Sequence, residues 1–247
     1  MYPADWHKLY GDMTGESARR ILPTLIALFG TKSLVEVGCG NAHWTQAGID
    51  AGVVDYCVVD GPWNNRNHLL VDREKFVEAR LEAPLQLGRR FDLAICLEVA
   101  EHVEGRSARV LVESLCRAAD VVAFGAAIPL QGGFGHINEQ WPSYWREHFA
   151  ALGYRPFDLV RPGHWNDRAI HYWYRQNMFV YVKVDNDVIN AIATAAAPNG
   201  SGLLFDAVHP EKFEEVASYR AIAFKRLLTS LPGWFKRRLH SKLAGHG

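Results

Sequence analysis

The chain has 247 residues, of which 49% are hydrophobic and 22% are charged, a composition typical of one α/β domain with appendages rather than of a disordered or fibrous protein. Its 27 Lys and Arg residues balance its 27 Asp and Glu residues, so the formal net charge is zero. Because phosphate contacts need clustered positive charge, this balance argues against a general nucleic-acid binder.

The first predicted elements are a helix and a short buried strand. Residues 17–29 carry apolar side chains at helical spacing, Ser17 is the candidate N-cap, and Gly30 follows the last turn. The apolar run over residues 34–37 then predicts a buried parallel strand.

An acid and two glycines mark the end of this strand. Glu36 precedes Gly38 and Gly40, and two such glycines let backbone N–H groups approach a ligand closely. The predicted second strand, residues 55–59, ends in Asp60, where a carboxylate can accept hydrogen bonds from both hydroxyls of a ribose. A glycine pair also occurs in ordinary tight turns, but together with Asp60 it indicates a cofactor loop.

A third strand with an acid at its end strengthens this interpretation. Residues 92–97 form an apolar run that continues into the segment EVAEH, which begins at Glu98. With the pattern EVGCGNA at the first strand, the chain resembles the class I S-adenosylmethionine-dependent methyltransferases over about residues 15–184. The resemblance implies S-adenosyl-L-methionine as cofactor, bound by Glu36, Gly38, Cys39, Gly40, Asn41, Asp60, Gly61, Trp63, Arg80, Leu81 and Glu98.

Two positions depart from the family pattern. Ala42 stands in place of the third glycine, and its small side chain still allows helix and strand to approach each other. After the predicted third strand, residues 76–79, the Asp that receives the adenine amino group in many members is replaced by Arg80 and Leu81. The adenine is then held either by backbone atoms at this position or by apolar contact and stacking on Trp63.

Helices and strands alternate through the remainder of the first 184 residues. Further helices are predicted at residues 44–51, 106–118 and up to 152, and further strands at residues 121–125, after 153 and at 178–184. The alternation predicts an α/β fold with a doubly wound sheet, and the resemblance implies seven mostly parallel strands, the last of them antiparallel, as in the Rossmann-like class I methyltransferases. Ligands bind such sheets beyond the carboxyl ends of the strands.

The loop after the predicted fifth strand is the second informative region. Residues 131–145 read QGGFGHINEQWPSYW and suit a polar molecule with flat apolar faces, such as a sugar ring. The run resembles a subgroup of small-molecule and saccharide-modifying methyltransferases. Together with the aromatic linker at residues 165–177, it supplies the candidate substrate-binding residues Asn138, Trp141, Tyr144, Trp173 and Arg175. The alternative is that these aromatic residues pack in the core and that the linker packs against the sheet.

Methyl transfer from a sulfonium is an in-line displacement, for which a hydroxyl acceptor must lose its proton to a base. His136 is the first candidate for that base, although it could also simply cap the helix or bond to backbone. Glu139 either orients His136 or binds the substrate, and His102 is the rival base. We expect no metal, because the spacing carries no ligand signature, although His102, His136, Glu139 and His164 could converge on Mg²⁺.

These features predict methylation of a hydroxyl on a saccharide or natural-product small molecule. Methylation of a nitrogen or carbon on a natural-product scaffold remains an alternative. A nicotinamide-dependent oxidoreductase is the alternative of another class, but it requires a third glycine near Ala42, and the bulky Trp44 would crowd its diphosphate. A non-enzymatic binding module would not need an acid at each of three strand ends.

The last residues lie outside the predicted methyltransferase domain, which spans residues 1–184. Residues 185–247 are predicted to form a helical extension, with helices near 189–197 and 211–231. The basic, amphipathic segment 231–243 could touch an anionic membrane surface, form a solvated helix face or make a homodimer contact.

The expected environment is the cytoplasm. The N-terminus has no signal-peptide pattern, no apolar run reaches the roughly 20 residues that span a bilayer, and the four cysteines lack metal-binding spacing. We expect a small-molecule acceptor as the partner, with no nucleic acid and no stable membrane insertion.

Overall fold

The computed structural model describes residues 6–197 and 205–218. Backbone contacts divide the chain into a first unit, residues 1–207, and a second unit, residues 208–247. The helix predicted near 189–197 belongs to the first unit, so the compact unit extends beyond residue 184, where the sequence placed the domain boundary.

The first unit is built on a seven-stranded sheet with the order β3-β2-β1-β4-β5-β7-β6. Strand β7 pairs antiparallel with both of its neighbours, and the other pairings are parallel. The predicted doubly wound class I methyltransferase fold is confirmed. The strands are β1 Ser33–Val37, β2 Asp55–Asp60, β3 Phe76–Glu78, β4 Leu93–Leu97, β5 Val121–Gly125, β6 Tyr154–Phe157 and β7 Phe179–Lys183.

Helices cover both faces of the sheet, because β1, β4, β5 and β7 present apolar side chains to both sides. One core layer holds Leu111 and Phe149, and the other holds Leu22 and Trp44. The helices of the first unit are α1 Trp6–Phe29, α2 His43–Asp50, α3 Ala108–Ala118, α4 Pro142–Ala150, α5 Arg161–His164, α6 Tyr172–Asn177 and α7 Asp187–Ala196.

Helix α1 starts eleven residues earlier than its predicted N-cap. Ser17 is therefore not a cap: it lies inside the helix, and its Oγ donates a hydrogen bond to the Met13 carbonyl. The predicted end is correct, since Gly30 adopts a φ of 63° and the Thr31 N–H bonds to the Ile26 carbonyl, the closure that commonly ends a helix at glycine.

The second unit contributes α8 Pro210–Ala217, whose N-terminus is capped by the imidazole of His209. This helix covers the first part of the predicted segment 211–231; the remainder of that segment from residue 219, and the basic segment 231–243, lie outside the described residues. None of the helices within residues 6–197 and 205–218 combines the length and apolar character needed to cross a bilayer.

Candidate active site

The carboxyl edge of the sheet collects unusual backbone conformations. Within residues 6–197 and 205–218, three residues other than glycine have positive φ: Ala42 (64°), Glu98 (56°) and Leu130 (71°), which follow β1, β4 and β5. Such conformations cost free energy and cluster at functional sites. A cavity of about 230 Å³ lies at the opposite edge, beside Phe91 and Val121, and includes none of these residues.

The glycine turn after β1 fits tightly against the segment that follows β4. Gly38 has a φ of 75°, and a Cβ on it would lie 2.4 Å from a methyl carbon of Val99, so no larger residue fits here. The N–H groups of Gly38 and Cys39 donate to the Val59 carbonyl at 2.8 and 3.0 Å. These two N–H groups are therefore occupied within the protein, and the turn brings its backbone close to β2 and β4.

Asp60, at the end of β2, bonds to the glycine turn. Its carboxylate accepts hydrogen bonds from the N–H groups of Gly40 (2.8 Å) and Gly61 (2.7 Å) and from the Asn64 amide (3.0 Å). A carboxylate can accept about four hydrogen bonds. One acceptor position of Asp60 therefore remains for a ribose hydroxyl, and a second would become available if the Asn64 amide turned away. The sequence analysis missed Asn64, which also donates to the Gly40 carbonyl.

Glu36 is buried beneath the turn and fixes helix α2. Its Oε2 accepts hydrogen bonds from the N–H and the hydroxyl of Thr45, at 2.8 and 2.6 Å. Burial raises the pKa of Glu36 to about 7, although the bonds from Thr45 oppose this change. The Glu36 side chain thus holds the start of α2 against the end of β1, on either side of the glycine turn. Thr45, its partner, was not among the predicted site residues.

The raised pKa of Glu36 predicts a pH-dependent stability. Because the folded-state value of about 7 lies above the ordinary 4.5, ionisation of Glu36 lowers the free energy of unfolding as the pH rises through this interval, by roughly 3 kcal/mol in full. Glu36→Gln mimics the protonated acid and removes this loss. We expect its free energy of unfolding, relative to wild type, to increase by about 2–3 kcal/mol between about pH 5 and pH 8.

Urea denaturation at the two pH values measures this difference, with Glu147→Gln, an exposed carboxyl on α4, as the matched control. A Glu36→Gln difference that is the same at both pH values would contradict the assignment.

The residues expected to contact the adenine follow the ends of β2 and β3. The Trp63 ring folds over Gly61 and is 60% exposed, and the Arg80 guanidinium lies 5.7 Å from its centre. Leu81 is buried in the core beside Val37 and Val59. Trp63 therefore offers a flat exposed face, whereas the Leu81 side chain contributes to packing.

Glu98 belongs to a buried polar network at the end of β4. Its carboxylate accepts hydrogen bonds from the Gln131 amide (2.6 Å) and the Asn177 amide (2.9 Å), and Asn177 also donates to Gln131. Burial, together with Glu139, raises the pKa of Glu98 to about 7, while the two amides act in the opposite direction. Gln131 was not among the predicted site residues, because its partners lie far away in the sequence.

The predicted catalytic residues lie together at the ends of β4 and β5. Nδ1 of His136 lies 2.9 Å from a Glu139 oxygen, and the rings of His102 and His136 are 4.9 Å apart and nearly perpendicular. Glu139 is held in turn by the N–H groups of Leu130 and Gly132. Burial lowers the pKa of His102, and His136 adds to this effect.

Glu101 is a further member of this cluster that was not predicted as a site residue. Its side chain is fully buried, and one carboxylate oxygen lies 3.9 Å from Nε2 of His136. Burial raises the pKa of Glu101 well above its ordinary value, and Glu98 adds to this. The Glu101 carbonyl accepts hydrogen bonds from the N–H groups of Ile137 and Asn138, which fixes the His136 loop against the end of β4.

The predicted acceptor residues fall into two groups. Asn138 is buried beside the cluster, Trp141 stands immediately before α4, and Tyr144 packs against Trp145 within α4. Trp173 and Arg175 lie on α6, where the buried Arg175 donates a hydrogen bond to the Trp165 carbonyl at 2.7 Å. This contact favours the packing alternative for Arg175.

Comparisons with known protein families and solved structures agree with the fold described above. Residues 7–120, just under half of the chain, match the family model described as "Methyltransferase domain". No curated protein matches the chain.

Solved structures share the fold. DesVI of Streptomyces venezuelae has a TM-score of 0.56 and 14% identity, covering 74% of this chain and 99% of its own. KedS8 of a Streptoalloteichus species, described as a sugar N-methyltransferase, has a TM-score of 0.53 and 16% identity over 74% of this chain and 93% of its own. CalS10 of Micromonospora echinaspora, described as an amino pentose methyltransferase with bound SAM, has a TM-score of 0.54 and 12% identity over 74% and 98%.

The match to a methyltransferase family model and the antiparallel β7 favour a methyltransferase over the nicotinamide-dependent oxidoreductase alternative.

Proposed function

We propose that this chain, an S-adenosylmethionine-dependent methyltransferase, methylates a hydroxyl of a small saccharide or sugar-bearing natural product. The observation that carries the proposal is the hydrogen-bonded pair of His136 and Glu139 at the carboxyl edge of the sheet. A hydroxyl is a poor nucleophile until its proton is withdrawn, and an imidazole oriented by a carboxylate is suited to this task.

On the cofactor side, we propose that the turn from Glu36 to Asn41 receives the methionine part and that Asp60 accepts hydrogen bonds from the ribose. The adenine would stack on the exposed face of Trp63, beside Arg80. Glu98 closes the methionine side through its bonds to Gln131 and Asn177.

On the acceptor side, we assign His136 as the base. Glu139 keeps a proton on Nδ1 of His136 and stabilises the imidazolium that forms, whereas burial disfavours a charged His102. The same loop presents Phe134 and Ile137 to solvent, 54% and 65% exposed. A polar cluster beside exposed apolar side chains suits a sugar ring, which has hydroxyl edges and apolar faces.

An amino sugar is a second candidate. Three acids lie close together here: Glu139 raises the pKa of Glu98, and both raise the pKa of Glu101. Such a cluster attracts an ammonium group. KedS8 is described as a sugar N-methyltransferase and CalS10 as an amino pentose methyltransferase, which agrees with this candidate.

A panel of matched acceptors tests the proposal. Glycosides and amino glycosides of the same ring, with nucleosides and phenols, are incubated with S-adenosylmethionine, and S-adenosylhomocysteine and the methylated products are identified by mass spectrometry. We expect turnover of glycosides with the methyl group on oxygen. Turnover confined to the amino members would replace the first candidate with the second, and turnover of only nucleosides or phenols would overturn both.

A further inference from the structure

We propose that Glu101, His102 and His136 form a binding site for one divalent transition-metal ion. Glu101 and His102 lie in the short turn after β4, and His136 comes from the loop after β5. One ligand atom from each residue lies within 4.8 Å of the other two. The set differs from the one weighed in the sequence analysis, because it includes Glu101.

The buried carboxylate of Glu101 is the observation that most strongly favours a bound cation. The side chain is fully buried, and within the described residues neither oxygen has a side-chain hydrogen-bond partner. Burial of an unpaired carboxylate costs several kcal/mol unless the group is neutralised. The N–H groups of Ala127 and Glu101 itself favour the ionised form only in part, and Glu98 and Glu139 oppose it. A bound cation would offset this cost.

Each histidine has the second contact that metal-binding histidines require. Nδ1 of His136 lies 2.9 Å from the Glu139 carboxylate, and Nδ1 of His102 lies 3.2 Å from the Gly135 carbonyl. Both partners are acceptors, so Nδ1 carries the proton in each neutral ring, and Nε2 is the unprotonated nitrogen. Carboxylate and carbonyl partners of this kind fix the tautomer and orientation of metal ligands.

The donor set selects the class of ion. Two imidazoles and one carboxylate suit Zn²⁺, Co²⁺, Fe²⁺ or Mn²⁺ better than Mg²⁺ or Ca²⁺, which prefer oxygen ligands. Bonds of about 2.1 Å place tetrahedral ligand atoms roughly 3.4 Å apart. The ligand atoms lie within 4.8 Å of one another, so binding needs side-chain movements of up to about 1.4 Å. Three protein ligands leave at least one position open, where a bound ion would acidify an acceptor hydroxyl. His136 would then be a ligand, so its proposed role as the base applies to the metal-free protein.

Cobalt titration tests the site without reference to turnover, so its outcome is separate from that of the proposed function. Tag-free, chelator-treated protein is titrated with Co²⁺, and binding is followed by visible absorption and by calorimetry. We expect saturation at one equivalent and a Tm that rises with Co²⁺. Glu101→Gln should weaken binding by at least about 100-fold, and His102→Ala should do the same.

Two controls keep the test decisive. Glu147→Gln removes an exposed carboxylate on α4 and should bind Co²⁺ as wild type does. The Tm of metal-free Glu101→Gln shows that the variant folds, and we expect it to equal or exceed that of wild type, because a buried unpaired acid is removed. Binding without saturation at one equivalent, or equal affinity in wild type and Glu101→Gln, would overturn the proposal.

Discussion

Replacement of His136 by alanine is expected to lower kcat by about 10²- to 10⁴-fold, the usual contribution of a general base. The dissociation constant of S-adenosylhomocysteine should stay within about twofold of wild type, because the imidazole lies on the acceptor side. Steady-state kinetics and calorimetry measure the two quantities.

The local structure should survive this change. Glu139 keeps its hydrogen bonds from the N–H groups of Leu130 and Gly132, and the loop keeps the bonds of Ile137 and Asn138 to the Glu101 carbonyl. The imidazole ring that is lost packs closely over Gly133: a Cβ on Gly133 would lie 2.2 Å from Nε2 of His136.

His148→Ala is the matched control, since it removes a half-buried imidazole from α4 that packs on Tyr144. Its kcat should remain close to wild type. Wild-type kcat in His136→Ala would transfer the role of base to His102 or leave only positioning for both residues. A loss of cofactor affinity in His136→Ala would place this side chain on the cofactor side instead.

Replacement of Asp60 by alanine is expected to weaken cofactor binding by about 30- to 1000-fold. The carboxylate would accept one or two hydrogen bonds from the ribose, and hydrogen bonds to a charged group contribute about 1.5–3 kcal/mol each. Part of the loss has a second origin, because Asp60 also holds the N–H groups of Gly40 and Gly61.

A ligand pair separates the two origins. Wild type should bind S-adenosylhomocysteine more tightly than its 2′-deoxy analogue, whereas Asp60→Ala should bind the two alike. Asn64→Ala, which releases the turn but keeps the carboxylate, should retain the preference. Asp55→Ala at the opposite end of β2, where the side chain pairs with Arg89, is the matched control. Affinity of Asp60→Ala within about threefold of wild type would disprove the ribose assignment.

The sequence by itself determined the order of the elements. Buried strands have local patterns: the predicted fifth strand matches β5, and Asp60 ends β2 as predicted. These features depend on residues close together in the chain, where side-chain periodicity and glycine conformations act directly.

The start of α1 could not be predicted in this way. Gly11 and Gly15 are poor helix formers, and the sequence therefore pointed to a cap at Ser17. In the folded protein a Cβ on either glycine would lie 3.1 or 3.2 Å from the ring of His43 on α2. The close packing of two helices compensates for the low helix propensity, and that packing exists only after the chain has folded.

Only the tertiary structure decided the composition of the acceptor side. Glu101 is adjacent to His102 in the sequence, yet its importance depends on burial without a side-chain hydrogen-bond partner among the described residues. Likewise, Glu98 meets Gln131 and Asn177, and His102 meets the Gly135 carbonyl, through contacts between residues more than thirty positions apart. Side chains from separate loops converge according to how the loops pack on the sheet, and no local pattern in the sequence records that packing.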